Sequence, residues 1–201
     1  MTPTPFGASA GSGGDVSVTQ TATGRIYTQG VGAHGILAQS VGGGGGSGGD
    51  TGGLVAVGGD SAQGGHGGEV HVANAGFIST GAGSDGSELV GAYGIFAQSV
   101  GGRGGDGGSA SGAAGIGGTG AGGGHGSLVS VTNEAGGTLV TLGSGSIGLF
   151  AQSVGGGGGN GGDSAGIAAI GGRGSATSAG GDVEVRNFGD IYSTSGGLFA
   201  Q

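Results

Sequence analysis

The chain has 201 residues, of which 65 are Gly, two Pro and none Cys, and it carries a net charge of −8 with only four Lys plus Arg. Glycine at this level without a strict three-residue period or abundant proline excludes collagen, and the missing cysteine excludes a disulfide scaffold and a thiolate metal centre. The sparse, acidic charge leaves no basic face for nucleic acid or for an anionic membrane surface, and no apolar run approaches the roughly 18 residues of a membrane-spanning helix.

In chain order, the first ten residues, MTPTPFGASA, lack the basic-then-apolar plan of a signal peptide. The next segment, GSGGDVSV, reads as the tail of a repeat, with Val16 and Val18 in a short strand. The word Ala-Gln-Ser-Val then opens at Ala38, returns at Ala97 and Ala151, and starts again at Ala200. The starts are 59, 54 and 49 residues apart. Within each repeat, the 35 residues from Ala38 to Val72, Ala97 to Val131 and Ala151 to Val185 have constant length. The variation therefore falls in one connector, as expected of a fixed structural unit with loop insertions at one place. The divisions are a partial repeat over 1–37, repeats over 38–96, 97–150 and 151–199, and a further start at 200–201; the chain reads as one array and a piece of something longer.

The constant block has an internal pattern. After AQSV come nine residues in triplets whose third letter is Gly or polar: GGG-GGS-GGD, GGR-GGD-GGS and GGG-GGN-GGD. Seven uncharged residues follow (TGGLVAV, ASGAAGI, SAGIAAI), then four further triplets, then V-x-V at Val70–Val72, Val129–Val131 and Val183–Val185. A period of three matches neither helix nor strand; it fits an extended polyproline-II-type helix whose backbone groups need outside partners. The persistence of the triplet phase through three copies favours ordered packing elements over solvated loops. The connector holds Asn74, Asn133 and Asn187 just beyond V-x-V, then a second short strand centred on Ile78, Leu139 and Ile191. A third strand is the GIFAQSV segment, beginning at Gly35, Gly94, Gly148 and Gly197. No helical apolar spacing persists for two turns.

Such a repeat cannot bury a core alone, so copies are expected to stack with like residues over like. Stacking predicts amide ladders of Gln39, Gln98, Gln152 and Gln201, and of Asn74, Asn133 and Asn187, with the valines as the inward apolar ladder. The length of the repeat suggests about two coils, one of strands and one of Gly-triplet segments around the apolar septet. The expected fold is an all-β repeat β-solenoid, parallel β-helix-like, with polyproline-II or polyglycine-II-like segments and no α-helix.

The string G-[I/L]-[L/F]-A-Q-S-V-G-G-x-G-G-x-G-G, followed by V-x-V-x-N, resembles Gly-rich passenger repeats of large autotransporter proteins of Gram-negative bacteria. Gly94–Gly108 is the best-matching stretch, and the resemblance spans Gly13–Gln201. It implies a right-handed β-solenoid exported to the bacterial cell surface, anchored through an outer-membrane domain, and commonly serving adhesion.

Chemical sites are weighed against that reading. Gly45–Asp50, Gly101–Asp106 and Gly158–Asp163 match the first six letters of a calcium-binding nonapeptide. The apolar anchor position holds Gly52, Gly108 and Ala165, and a hard cation wants six to eight oxygens, so the aspartates read as polar third letters. His66 and His125 share one repeat position, but the third copy has Ala179 there, and His34 and His71 are out of phase with them. No Ser, His and carboxylate recur as a triad, and no Gly-rich string has the Lys-Ser/Thr of a phosphate loop. The expectation is no catalytic, cofactor or metal residue, no enzyme activity and no cofactor. Tyr27, Tyr93, Phe96, Phe150, Tyr192 and Phe199 read as packing or as a half-exposed stripe ahead of a sugar platform.

The function this favours is a structural and interaction segment, a surface stalk whose partner is a host or abiotic surface, or copies of itself, through avidity. Nucleic acid and membrane insertion within this segment are not expected. The long connectors 73–96 and 132–150 are the expected variable surface. The alternatives are an ice- or crystal-surface binder, although Thr19, Thr21 and Thr23 alternate only once, a self-assembling fibre, and a calcium repeat.

Overall fold

The computed structural model describes residues 6–81 and 90–201; the connector stretch 82–89, part of the expected variable surface, lies outside them. Among the described residues there is no helix, and the strands follow in chain order. The first circuit holds β1 (Val16–Gln20), β2 (Arg25–Tyr27), β3 (Ile36–Val41) and β4 (Thr51–Val57). The second holds β5 (Val70–Asn74), β6 (Phe77–Thr80), β7 (Ile95–Val100) and β8 (Ala110–Ile116). The third holds β9 (Val129–Asn133), β10 (Thr138–Thr141), β11 (Ile147–Val154), β12 (Ser164–Ala165) and β13 (Ala168–Ile170). The last holds β14 (Val183–Asn187), β15 (Asp190–Ser193) and β16 (Gly196–Ala200).

Strands at equivalent places pair in parallel and form four sheets: β1-β5-β9-β14, β2-β6-β10-β15, β3-β7-β11-β16, and β4-β8 with β12 and β13 on the far side of β8. The register superimposes the repeats, as in Val16↔Val70↔Val129↔Val183. Partners lie one whole repeat apart, so each repeat makes one coil. Two coils per repeat would pair strands half a repeat apart, and that expectation is corrected here. The length variation falls between the second and third strand of each circuit: 28–35, 81–94, 142–146 and 194–195.

Three of the sheets enclose one core. Ile36, Ile95 and Leu149 from the AQSV strands meet Val70, Val72, Val129 and Val131, with Ile78 and Leu139 on the third side, all buried. Each strand is half-buried with period two, so its alternate residues fill this core. The core is built from Val, Ile, Leu and Ala, whose branched members suit a pleated surface.

From the end of each AQSV strand the Gly triplets run out as an extended arm, turn at the septet, and return as a second arm to the next V-x-V strand. The two arms stack into two columns. In the outgoing arm the first letter donates its N–H to the same arm of the next circuit, as Gly45 to Arg103 O (2.8 Å) and Gly104 to Gly157 O (2.8 Å). The second letter donates to the returning arm of the preceding circuit, as Gly105 to Ala62 O (3.0 Å) and Gly159 to Ala121 O (2.8 Å). The returning arm answers within its own circuit, as Ala62 to Gly46 O (2.9 Å) and Ala121 to Gly105 O (3.1 Å). The triplets are therefore ordered polyproline-II-type helices, hydrogen-bonded sideways, and they carry the backbone partners such a helix lacks internally. Close approach is what demands glycine here: a methyl on Gly104 would overlap the Ala121 carbonyl oxygen, and one on Gly105 the Gly46 carbonyl oxygen.

The AQSV word closes the joint between strand and arm. Its Ala is buried in the core and its Ser points the same way. Ser99 Oγ donates to Gly68 O (2.8 Å) and accepts from Ser127 N (2.9 Å). Ser40 and Ser153 do the same one circuit away, to Gly14 O and Gly68 N, and to Ser127 O and Gly181 N.

Candidate functional site

Outward groups repeat along the stack in three places. The first is the outer face of the AQSV sheet. Period two turns Leu37, Phe96, Phe150 and Phe199 outward in one column and Gln39, Gln98, Gln152 and Gln201 in the next. The amides form the expected ladder, Nε2 to Oε1, at 2.6, 2.7 and 3.3 Å in succession. The Phe rings stack face to face with centroids 4.9 Å apart at both steps. Tyr93 joins at 5.6 and 5.7 Å, and His34 stacks on Tyr93 at 4.9 Å. Burial holds the His34 pKa below 6.5, and its Nδ1 accepts the Tyr93 N–H at 3.1 Å. Rings stacked in this way cover one another's faces and leave their edges outward. A sugar platform needs exposed faces, so the middle of this ladder is packing. Tyr27 and Tyr192, grouped with these rings by type, lie on another sheet, and Tyr27 tilts against Phe77 at 5.5 Å.

The second place is the row of polar third letters. The outward N–H of a third letter points away from both arm columns, and the side chain of the preceding circuit's third letter accepts it. Asp50 Oδ1 takes Ser109 N (2.6 Å), Asp106 takes Asn160 N (2.7 Å), and Asp15 takes Glu69 N (2.9 Å). His66 Nδ1 takes His125 N (2.8 Å), with the two rings stacked at 5.3 Å. The middle calcium-like motif is out of phase with the other two, since Ser109 lies between Asp50 and Asp163 in the row while Asp106 neighbours Asn160. Among the described residues no three His, Cys, Asp or Glu cluster for a metal. His71 stands apart on β5, its Nε2 3.1 Å from Glu69. Sequence reasoning missed this capping role; its signal was the preference for Asp, Ser, Thr or His at the third letter.

Asp60 shows the chemistry. Its Oδ1 accepts both Thr119 Oγ1 (2.6 Å) and Thr119 N (2.9 Å). Those bonds favour the carboxylate, hydroxyl first, and hold its pKa below 3.8 against a small opposing effect of burial. A folded pKa below the unfolded one gives stability that is present above pH 3.8 and lost as pH falls through the folded midpoint. In an NMR titration the Asp60 carboxyl should have its midpoint below 3.8, and Thr119→Val should move it back up. An unmoved midpoint would remove the cap from the account.

The third place is the turn joining the arms, formed by β4, β8 and β12–β13. The sequence reading put the septet inside a layer of Gly triplets; the structure puts it at the outer end of the arms, a crest with Leu54, Val55, Ile167 and Ile170 exposed. Thr51 Oγ1 donates to Val57 O (2.7 Å) and ties the two ends of the turn. Gly53 and Gly166, with φ of 153° and 154°, sit at the bend.

Compared with known proteins, no family matches the chain and no curated protein matches it. Among solved structures it is similar to a springtail antifreeze protein from Granisotoma rainieri, described as a nine polyproline type II helical bundle. The two are 19% identical over 79% of this chain and 94% of the other, with a TM-score of 0.15, far below that of a shared fold.

Proposed function

We propose that the chain is a structural and interaction segment of a long surface-displayed rod, of the autotransporter passenger type its repeats resemble, that adheres by repetition. The observation that supports this reading is the unbroken register: each outward column recurs once per circuit across β3, β7, β11 and β16. A binding contact on one circuit is thereby presented again on the next, at about 4.8 Å spacing. Individually weak contacts then add through avidity. The sideways hydrogen bonding of the arms supports a stiff rod, since each circuit is tied to the next along sheets and arms alike.

The test uses tandem arrays carrying two, four and eight repeats, held at equal molar concentration over host cells and abiotic particles. Retention should rise more steeply than in proportion to repeat number. Retention proportional to repeat number or independent of it would sink the multivalent reading. Protease shaving of bacteria that carry the parent protein tests display: loss of the repeats from intact cells is expected, and full protection would sink it.

A further inference from the structure

We propose that the joint between the first and second circuits is acid-sensitive, held at two rims by His34 and His66 only while their imidazoles are uncharged. The two histidines are built alike. His34 stands at the connector rim, in the place that Tyr93 takes one circuit on, since Ile36 pairs with Ile95. His66 is a third letter of the returning arm, in the place that His125 takes one circuit on. Each turns its Nδ1 onto the backbone N–H of that successor: His34 accepts from Tyr93 N at 3.1 Å, and His66 from His125 N at 2.8 Å. Each also lies flat on its successor's ring, with centroids 4.9 and 5.3 Å apart. A backbone N–H only donates, so the accepting Nδ1 keeps its lone pair and the ring proton sits on Nε2. A second proton goes to Nδ1 and sets donor against donor, which removes the bond.

Among the described residues no carboxylate bonds to either ring. His34 packs on Tyr93 and Phe96, and 28–35, 90–94, β3 and β7 hold no acid and no other cation; Asp85 and Glu88 fall in 82–89, outside the described residues. His66 lies between Gln63 and Glu69 along its arm, and between Ser12 and His125 across the circuits. Glu69 is engaged with His71 at 3.1 Å, Asp15 with Glu69 N, and Arg103 on the outgoing arm with Asp106 at 2.7 Å. His125 is itself titratable, so acid sets two stacked cations against each other. Burial makes a charge on His34 costly and holds its pKa below 6.5. A folded pKa below the unfolded one gives stability that is whole above pH 6.5 and is lost as pH falls from there towards the folded midpoint. The loss stays local. The β1-β5, β2-β6, β3-β7 and β4-β8 pairs hold through backbone groups that do not titrate. Asp60, whose pKa lies below 3.8, still caps Thr119 across the same joint. Mild acid therefore loosens the connector rim and the returning arm of this joint while its sheets stay paired, whatever the rod adheres to.

The test is amide exchange of the chain at about pH 7.5 and about pH 5, on either side of the imidazole range, with protection taken relative to an unstructured chain at the same pH. The Tyr93 and His125 N–H groups should lose protection about tenfold or more on acidification. Thr119 N–H should keep its protection, and the far-UV circular dichroism should not change. Imidazole nitrogen spectra at the higher pH should show the proton of both His34 and His66 on Nε2. His34→Asn with His66→Asn puts an amide oxygen where each Nδ1 stands and has no proton to gain, so its Tyr93 and His125 N–H groups should stay protected at both pH values. His34→Ala with His66→Ala should lack that protection at both. The proposal is overturned by a proton on Nδ1, by protection in the parent that acid leaves unmoved, or by the same acid loss in the Asn variant. A loss at Thr119 equal to that at Tyr93 and His125 overturns it too, since the whole fold would then be opening.

Discussion

Gly105→Ala should destabilise the chain by about 3 kcal/mol, at the upper end of what overpacking costs, while Gly157→Ala in the same arm column should be neutral or slightly stabilising. The two glycines differ in what stands over them. A methyl on Gly105 would overlap the carbonyl of Gly46, and this is backbone that a rotamer change cannot clear. Gly105 also donates to Ala62 O and accepts from Ala121 N, so shifting it disturbs three arms together. Gly157 is a third letter with open space above it; the first atom met is a side-chain carbon of Arg103 at 3.9 Å. Alanine there removes unfolded-state freedom at no steric cost, worth roughly 0.4–1 kcal/mol. Urea unfolding of both variants measures the difference. Amide exchange adds the local view: Gly104 and Gly105 should be protected in the parent, and Gly105→Ala should lose protection on both arms. Equal, small effects at the two positions would mean that the arms do not interlock.

Asn133→Ala should cost about 3 kcal/mol, because it removes a fully buried amide and leaves the buried Asn74 Nδ2 without a partner, while the exposed Asn187 can turn to water. Asn133 lies fully buried at the end of β9. It accepts from Asn74 Nδ2 at 2.8 Å and donates to Asn187 Oδ1 at 2.8 Å. Asn74 Oδ1 in turn accepts the Gly76 N–H at 3.1 Å, which starts the turn into β6. Removing the middle amide therefore unpairs both neighbours and loosens the corner they hold. Asn133→Asp sharpens the test. It keeps the acceptor for Asn74 but sets a carboxylate against Asn187 Oδ1, so it should be worse than Ala at neutral pH and partly recover on acidification. The outward amide row supplies the comparison: Gln98 is half-buried with water beside it, and Gln98→Ala should cost below about 1 kcal/mol, since water replaces its partners. Melting temperatures across pH measure all three, and a Gln98 variant as damaging as the Asn133 variants would refute this division between inward and outward rows.

Much of this architecture could be read from residue spacing. Val16, Val70, Val129 and Val183 stack because parallel in-register strands bring like positions together, and the recurrence of V-x-V at a constant offset from AQSV already required that. The Gln and Asn ladders follow from the same offset. The first circuit departs from it: Gln20 stands where Asn74 stands in the next and donates to Phe77 O at 3.2 Å. The triplet period likewise named the helix type of the arms, because glycine at two letters of three is what sideways backbone contact allows.

The sequence by itself determined the repeat, its strands and the identity of its ladders, and favoured ordered Gly triplets over loops, all of which rest on spacing along one chain; the order of the triplets was decided by the hydrogen bonds between arms. Only the tertiary structure decided that a repeat closes one coil, which arm receives each N–H, that the aspartates cap the next circuit, and that the apolar septet faces outward. Those depend on distances between circuits. Nine residues of extended helix at about 3.1 Å each span about 28 Å. That length carries Leu54 and Ile167 beyond the reach of the valine core, so a segment whose composition suits an interior ends as the outer edge of the fold.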